Sequence, residues 1–323
     1  MYLGMLAIAT GFEMTGSNGF MELKKSSRNY AYENMGNDSR YDTFTCYCSF
    51  GSGGDPRNTT SCGTSFANPS APSCTSSSQS IVGSSVAKIE SWPWQVYIKS
   101  SRHINLFCGG SIIGPRLILT SANCVFGSAP NELTVRAGTQ NVSELEGIRM
   151  NVYQVIIHPA YQGGLGINVS LNANIALLVL NNTFTYSHKI RAVCLPRVNE
   201  TVISGEPCYA TGWGITRNAS IAPRQTLQEI CLPSISEPEC VMDDRLQSTN
   251  LTLTNNTFCA GYSADLGLNK GICNGDIGGP YVCKSGNTWK LRGISSWYIP
   301  TCGQLSIFTD VSKYIAWISN YQN

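Results

Sequence analysis

From residue 81 onward the chain alternates short apolar runs with polar, turn-forming breaks. The runs lie at residues 94–98, 111–119, 152–157, 175–180, 281–283 and 291–296, and Gly, Pro, Asn and Ser punctuate them. Short strands at frequent spacing with turn residues between them predict an all-β sandwich or barrel. A different period closes the chain. Within residues 309–321, Val311, Tyr314, Ile315 and Ile318 fall at i, i+3, i+4 and i+7, the apolar stripe of a helix packed on the strands. Residues 11–80 have few aliphatic clusters and carry linker and turn chemistry such as GSGGDPRNTTSCG and NPSAPSCTSSSQS. The chain therefore divides into a largely irregular N-terminal extension, residues 1–80, and a domain, residues 81–323.

Charge changes the picture by exclusion. Only 13% of the 323 residues are charged, and the formal net charge is +2. A dedicated nucleic-acid binder shows a strong basic footprint, which is missing here. At 42% hydrophobic residues the chain is not a disordered one. No stretch reaches the roughly 18 apolar residues that span a bilayer. The 14 cysteines are mostly far apart and accompany only three histidines, so disulfides in an oxidising compartment account for them better than zinc. Asn-X-Ser/Thr sequons at Asn37, Asn58, Asn141, Asn168, Asn181, Asn199, Asn218, Asn250 and Asn255 agree with secretion. Residues 1–10 are apolar enough for a weak signal segment but lack a basic start.

Ordered motifs sharpen the reading. Ile81-Val82-Gly83, Ser91-Trp92-Pro93-Trp94-Gln95-Val96 and Cys108-Gly109-Gly110-Ser111-Ile112-Ile113 come first. Leu119-Thr120-Ser121-Ala122-Asn123-Cys124, Asn174-Ile175-Ala176-Leu177-Leu178 and Ala192-Val193-Cys194-Leu195-Pro196 follow. Thr211-Gly212-Trp213-Gly214, Phe258-Cys259-Ala260-Gly261-Tyr262, Gly275-Asp276-Ile277-Gly278-Gly279-Pro280 and Gly293-Ile294-Ser295-Ser296-Trp297 complete the series. From Ile81 to the C-terminus the chain resembles the trypsin-like, chymotrypsin-fold serine peptidases. The resemblance implies two six-stranded antiparallel β-barrels packed face to face, with a C-terminal helix.

The chain departs from that family at the three positions that carry its chemistry. Asn123 stands where the family has its histidine base, Asn174 where it has its buried aspartate, and Ile277 where it has its nucleophilic serine. Ile277 has no heteroatom to attack a carbonyl, and an amide at Asn123 cannot take a proton near neutral pH. In a related triad enzyme, loss of the nucleophile alone removes about six orders of magnitude in turnover. The histidines, His103, His158 and His188, align with none of these positions, and no Asp occurs between Ile81 and Met242.

Other site residues are implied by the same resemblance. Gly275 and Ile277 carry the main-chain donors of an oxyanion hole. Gly271 lies at the base of the primary specificity pocket, Ser306 at its back wall, Tyr298 at its mouth and Ser296 beside it. Ile81 and Asp276 are remnants of an activation switch in which a freshly cut amino terminus pairs with the aspartate. Ser80 precedes Ile81, and no Lys or Arg lies between Arg57 and Lys88, so the expectation is an uncut chain. Thr139 and Arg149 replace the acidic calcium ligands of relatives, so no metal is expected there, and no cofactor is implied. The implied disulfides are Cys108–Cys124, Cys208–Cys283, Cys240–Cys259 and Cys273–Cys302. Cys194 takes Cys62, with Cys74 as the second choice. The pairing of Cys46, Cys48, Cys74 and Cys231 stays open.

The implied function is that of a secreted, non-catalytic homologue that binds protein. Its partner would be a peptidase, an inhibitor or a component of a proteolytic cascade. An active endopeptidase and a structural glycoprotein are the competing readings.

Overall fold

The computed structural model describes residues 12–15, 22–25, 62–70, 74, 84–101, 107–142, 146–163, 171–204, 206–215, 224–249, 251, 253–262, 271–298 and 305–322. The chain forms two compact units, Met1–Thr60 and Ser61–Asn323. In the first, β1 (Phe12–Thr15) pairs antiparallel with β2 (Glu22–Lys25). Residues 1–10, Asn37, Cys46, Cys48 and Asn58 lie outside the described residues.

The second unit opens with β3 (Ser85–Val86), followed by β4 (Gln95–Ser100), β5 (Phe107–Gly114), β6 (Leu117–Thr120), β7 (Leu133–Ala137), β8 (Ile148–Ile157) and β9 (Ala176–Leu180). Strands β4 to β9 close into an antiparallel barrel in the order β4-β5-β6-β9-β8-β7. Val96, Ile98, Ile112, Ile118, Leu119, Val135 and Leu178 fill it. Gly110 belongs to that filling, since a Cβ there would lie 2.9 Å from Val96 Cγ2 and 3.1 Å from Ile118 Cγ2.

The chain continues through β10 (Pro207–Gly212), β11 (Gln228–Ile235), β12 (Thr257–Ala260), β13 (Pro280–Ser285), β14 (Thr288–Tyr298) and β15 (Ser306–Asp310). These pair in the order β10-β13-β14-β15-β12-β11, and β11 pairs back to β10, which closes a second six-stranded barrel. Strand β3 adds to the outside of β11, with Val86 opposite Gln228. The architecture is the double antiparallel barrel.

The C-terminal helix is shorter than its apolar stripe. Thr309 is still in β15, opposite Thr257 and Ile294. Asp310 then caps the next turn, its carboxylate accepting from the Ser312 N–H at 2.9 Å. Residues Val311–Tyr314 form a 3₁₀ turn and Ile315–Ser319 the α-helix, so the periodic residues line up although the first two belong to a tighter turn. Among the described residues no helix is long and apolar enough to cross a membrane.

The barrels meet over aromatic rings and at one glycine contact. Trp92 lies 5.0 Å from Trp289 and 5.4 Å from Tyr209, and its Nε1–H donates to the buried Glu229 at 2.6 Å. Opposite lies Gly109 of β5, where a Cβ would come within 2.6 Å of Gly279 Cα. Two glycines let the barrels approach closely there, and the candidate site is built beside that contact.

Candidate functional site

Three segments bring Asn123, Asn174 and Ile277 together. Strand β6 ends at Thr120, and the short α1 (Ala122–Val125) carries the half-buried Asn123, next to Cys124 of the Cys108–Cys124 disulfide. Asn174 lies just before β9, fully buried. Ile277 sits in the turn that leads to β13, held by the Gly109 N–H, which donates to its carbonyl at 2.8 Å.

Asn174 ties the site together. Its Oδ1 accepts the main-chain N–H of Asn123 at 2.9 Å, and its Nδ2 donates to Ser296 Oγ at 2.9 Å. Its carbonyl accepts from Thr309 Oγ1 at 3.1 Å. Ser296 occupies a β-bulge of β14, between Ser295 and Trp297, which turns its hydroxyl toward Asn174. Asn123 Oδ1 is buried without a hydrogen-bond partner. The half-buried Ile277 side chain packs against two apolar clusters, one of which includes Val96, Ile112 and Ile118 of the first barrel and the other Leu232, Tyr281 and Phe308 of the second. None of the three positions offers a proton acceptor of useful basicity or a nucleophilic atom.

The loop around Ile277 is tightly bonded. Gly278 N–H donates to Ser295 O at 2.8 Å and Gly279 N–H to Asp276 O at 3.0 Å. Gly275 has φ +94, and a Cβ there would meet the Phe107 ring at 2.1 Å. Phe107 in turn stacks on Tyr97 at 5.8 Å, and Tyr97 meets Trp213 edge-on at 5.7 Å. This aromatic row beside Gly275 gives no period or motif by which the sequence announces it.

The Asp276 carboxylate lies in a glycine cradle. A Cβ at Gly212 or Gly214 would come within 2.2 or 2.3 Å of its oxygens. It accepts the N–H groups of Gly214 at 2.8 Å and Cys273 at 3.0 Å. Burial raises its pKa to about 6, against the opposing pull of those two bonds and of the Arg224 charge. Ile81 lies outside the described residues.

The pocket positions fall on adjacent elements. Ser306 is buried and accepts the Ile272 N–H at 3.0 Å. It pairs across the sheet with Tyr298, at the end of β14. Gly271 is half-buried at the start of the segment that leads to Cys273.

The remaining candidates lie apart. His158 packs edge-on against Tyr314 at 5.1 Å and Trp317 at 5.0 Å, and burial lowers its pKa. His188 stacks on Phe66 at 4.4 Å, and His103 lies outside the described residues. The Thr139 hydroxyl is committed to Asn141, donating to its carbonyl at 2.7 Å. Arg149 is exposed in β8, opposite Arg136. Among the described residues the one three-membered group of metal-type side chains is Glu206, Cys208 and Cys283, and its two cysteines are bonded to each other.

Disulfides join Cys62 to Cys194, Cys74 to Cys231, Cys108 to Cys124, Cys208 to Cys283 and Cys240 to Cys259. Cys273 is also disulfide-bonded, and Cys302 lies outside the described residues. Of the sequons, Asn181, Asn199 and Asn255 are exposed and Asn141 is half-buried. Asn168, Asn218 and Asn250 lie outside the described residues.

Comparison with known proteins agrees with this geometry. The family model described as Trypsin matches residues 81–318. The ovochymase of Halocynthia roretzi is 38% identical over 248 residues, covering 74% of this chain but 15% of that protein. The tryptase of Mus musculus is 34% identical over 264 residues, covering 78% of this chain and 92% of that protein.

Proposed function

The chain belongs to the trypsin family, and we propose that it is a non-catalytic member, secreted and glycosylated, that acts by binding protein. The observation that carries this reading is Ile277. The position that must present a nucleophilic oxygen holds a hydrocarbon side chain packed against both barrel cores. The amides at Asn123 and Asn174 support it, because neither can take a proton from a serine if one were there. Loops on a rigid double barrel are suited to recognition, so the partner class is a peptidase, an inhibitor or another component of a proteolytic cascade, bound as decoy, scaffold or regulator. Pairing of most cysteines and the exposed sequons support an extracellular setting.

The test has two arms. The purified protein is treated with a fluorophosphonate and assayed on peptide and ester substrates, and neither an adduct nor turnover above background is expected. Turnover that co-purifies with the protein through contaminant controls favours the competing reading of an active endopeptidase. The protein is then used to capture partners from its native extracellular fluid. Recovery of a peptidase, an inhibitor or a cascade component is the expected result, and recovery of none favours a merely structural glycoprotein.

A further inference from the structure

The residues ahead of the family domain cross the seam between the barrels. The connection from the first barrel to the second passes through residues 190–194. On one side it is bonded to elements of the first barrel, Arg191 N–H to Pro93 O and Val193 N–H to Ile112 O, each at 2.9 Å. On the other it is bonded to β14 of the second, Leu291 N–H to Cys194 O at 2.8 Å. Gly63 inserts at that crossing. Its N–H donates to Ala192 O at 2.8 Å, and its carbonyl accepts the Trp289 N–H at 2.9 Å. Only glycine fits: φ is +67, and a Cβ would lie 2.3 Å from Trp289 O.

The segment is held along its length. Cys62 is bonded to Cys194, in the connection itself. Phe66 N–H donates to Glu90 O at 2.8 Å, and Asn68 O accepts from Ser91 Oγ at 3.0 Å, both just before β4. The Phe66 ring stacks on His188, and the Arg191 guanidinium lies 5.1 Å from its centroid. Cys74 is bonded to Cys231 on β11, two residues along from Glu229, where β3 pairs. One end is thus fixed to the inter-barrel connection, the middle to the entry of the first barrel and the far end to the second barrel.

We propose that residues 62–70 and Cys74 are a permanent brace that fixes the two barrels against each other, with Cys74–Cys231 as its second anchor. A brace of this kind is independent of any cut before the family domain. A break between Cys74 and Ser84 leaves the upstream piece on two disulfides and the downstream piece on the β3–β11 pairing. The order between the barrels is then supplied by covalent anchorage and not by a processed amino terminus.

Hydrogen exchange read amide by amide, with an engineered cut, tests this. A site-specific protease sequence is placed at residues 76–80 and cleaved to completion. The expected product is one species without reductant, with the Gly63, Phe66, Trp289 and Leu291 amides exchanging as in the uncut protein. In the Cys74→Ser, Cys231→Ser variant the Phe66, Trp289 and Leu291 amides should exchange at least about tenfold faster, while the β6–β9 amides inside the first barrel stay unchanged. Gly63→Ala, which keeps both cysteine pairs, should accelerate the same Trp289 and Leu291 amides if the two-cysteine variant does not fold. The proposal is overturned if Trp289 and Leu291 are unaffected by either change, which would make the segment a passive tether, or if the upstream piece leaves the cut, oxidised protein.

Discussion

Asn174 donates from Nδ2 to Ser296 Oγ at 2.9 Å, while its Oδ1 accepts the Asn123 N–H at the same distance. The side chain keeps the bonds that order the site and carries no charge. In a fully buried position beside an amide at Asn123, a carboxylate would have no imidazolium to neutralise it, and burying an unpaired charge is costly. The two asparagines are therefore compatible with each other, whereas an aspartate at 174 beside Asn123 would be a buried, unpaired charge.

The change Asn174→Asp alone should lower stability at pH 7 by on the order of 1–3 kcal/mol. The new carboxyl would titrate above its unfolded value, so the loss is absent at low pH and grows as pH rises through the folded-state value. Adding Asn123→His should recover part of it, which a double-mutant cycle by chemical denaturation measures. Additivity of the two changes would refute the coupling.

Ile277→Ser should cost stability without conferring activity. The side chain packs against clusters of both barrels but is only half-buried, so about 1–3 kcal/mol is expected, toward the lower part of the range for buried large-to-small changes. Asn123 leaves the new hydroxyl without a base, so a fluorophosphonate should still form no adduct. Denaturant melts and intact-mass analysis read the two halves separately.

The apolar runs and turn residues made an all-β fold legible, although the run at 111–119 divides into β5 and β6, and the double barrel itself was legible only through the resemblance carried by the ordered motifs. The helix was misjudged at its start, since the stripe through Val311 and Tyr314 does not distinguish a 3₁₀ turn from an α-helix, and Thr309 is claimed by β15. Asn123, Asn174 and Ile277 could be found from their flanking motifs. The Ser296 bulge, the Phe107 ring on Gly275 and the Cys74–Cys231 bond could not be derived, because each depends on which strands lie side by side. Cys46, Cys48, Cys74 and Cys231 have no motif to place them, and spacing does not choose among their pairings.

Exposed sequons should carry glycans. Asn199 adopts φ 54, a left-handed turn that asparagine tolerates, and Lys313 contacts its Oδ1 at 3.3 Å. Asn181 and Asn255 are likewise exposed. Enzymatic deglycosylation in heavy-oxygen water followed by peptide mapping should convert these three asparagines to labelled aspartate in protein from its native source. Three unmodified sites would reject the secreted, glycosylated reading.

Asp276 should impose a pH dependence on stability. Its folded-state pKa of about 6 stands above the ordinary aspartate value of 3.8, because burial outweighs the bonds from Cys273 and Gly214 and the Arg224 charge. Between those values the native state binds the extra proton, so stability falls as pH rises. The stabilisation is fully present below the unfolded value and is lost as pH passes through about 6. Other carboxyls contribute slopes of their own: Glu200 is held at about 2 by its bond from the Arg197 N–H and by Lys290 and Arg292, against burial, and Asp310 is raised by burial. The comparison that isolates Asp276 is therefore the difference between the parent and Asp276→Asn, melted side by side from pH 4 to 7. The parent should lose stability across that window relative to the variant, and parallel curves would show that the carboxylate in the glycine cradle is not the group being titrated. If the amino group of Ile81 were released by cutting and paired with Asp276, the carboxylate would gain a cation and its pKa would fall. The same difference curve would then reverse its slope, so the experiment is run on protein whose N-terminal sequence shows an uncut chain.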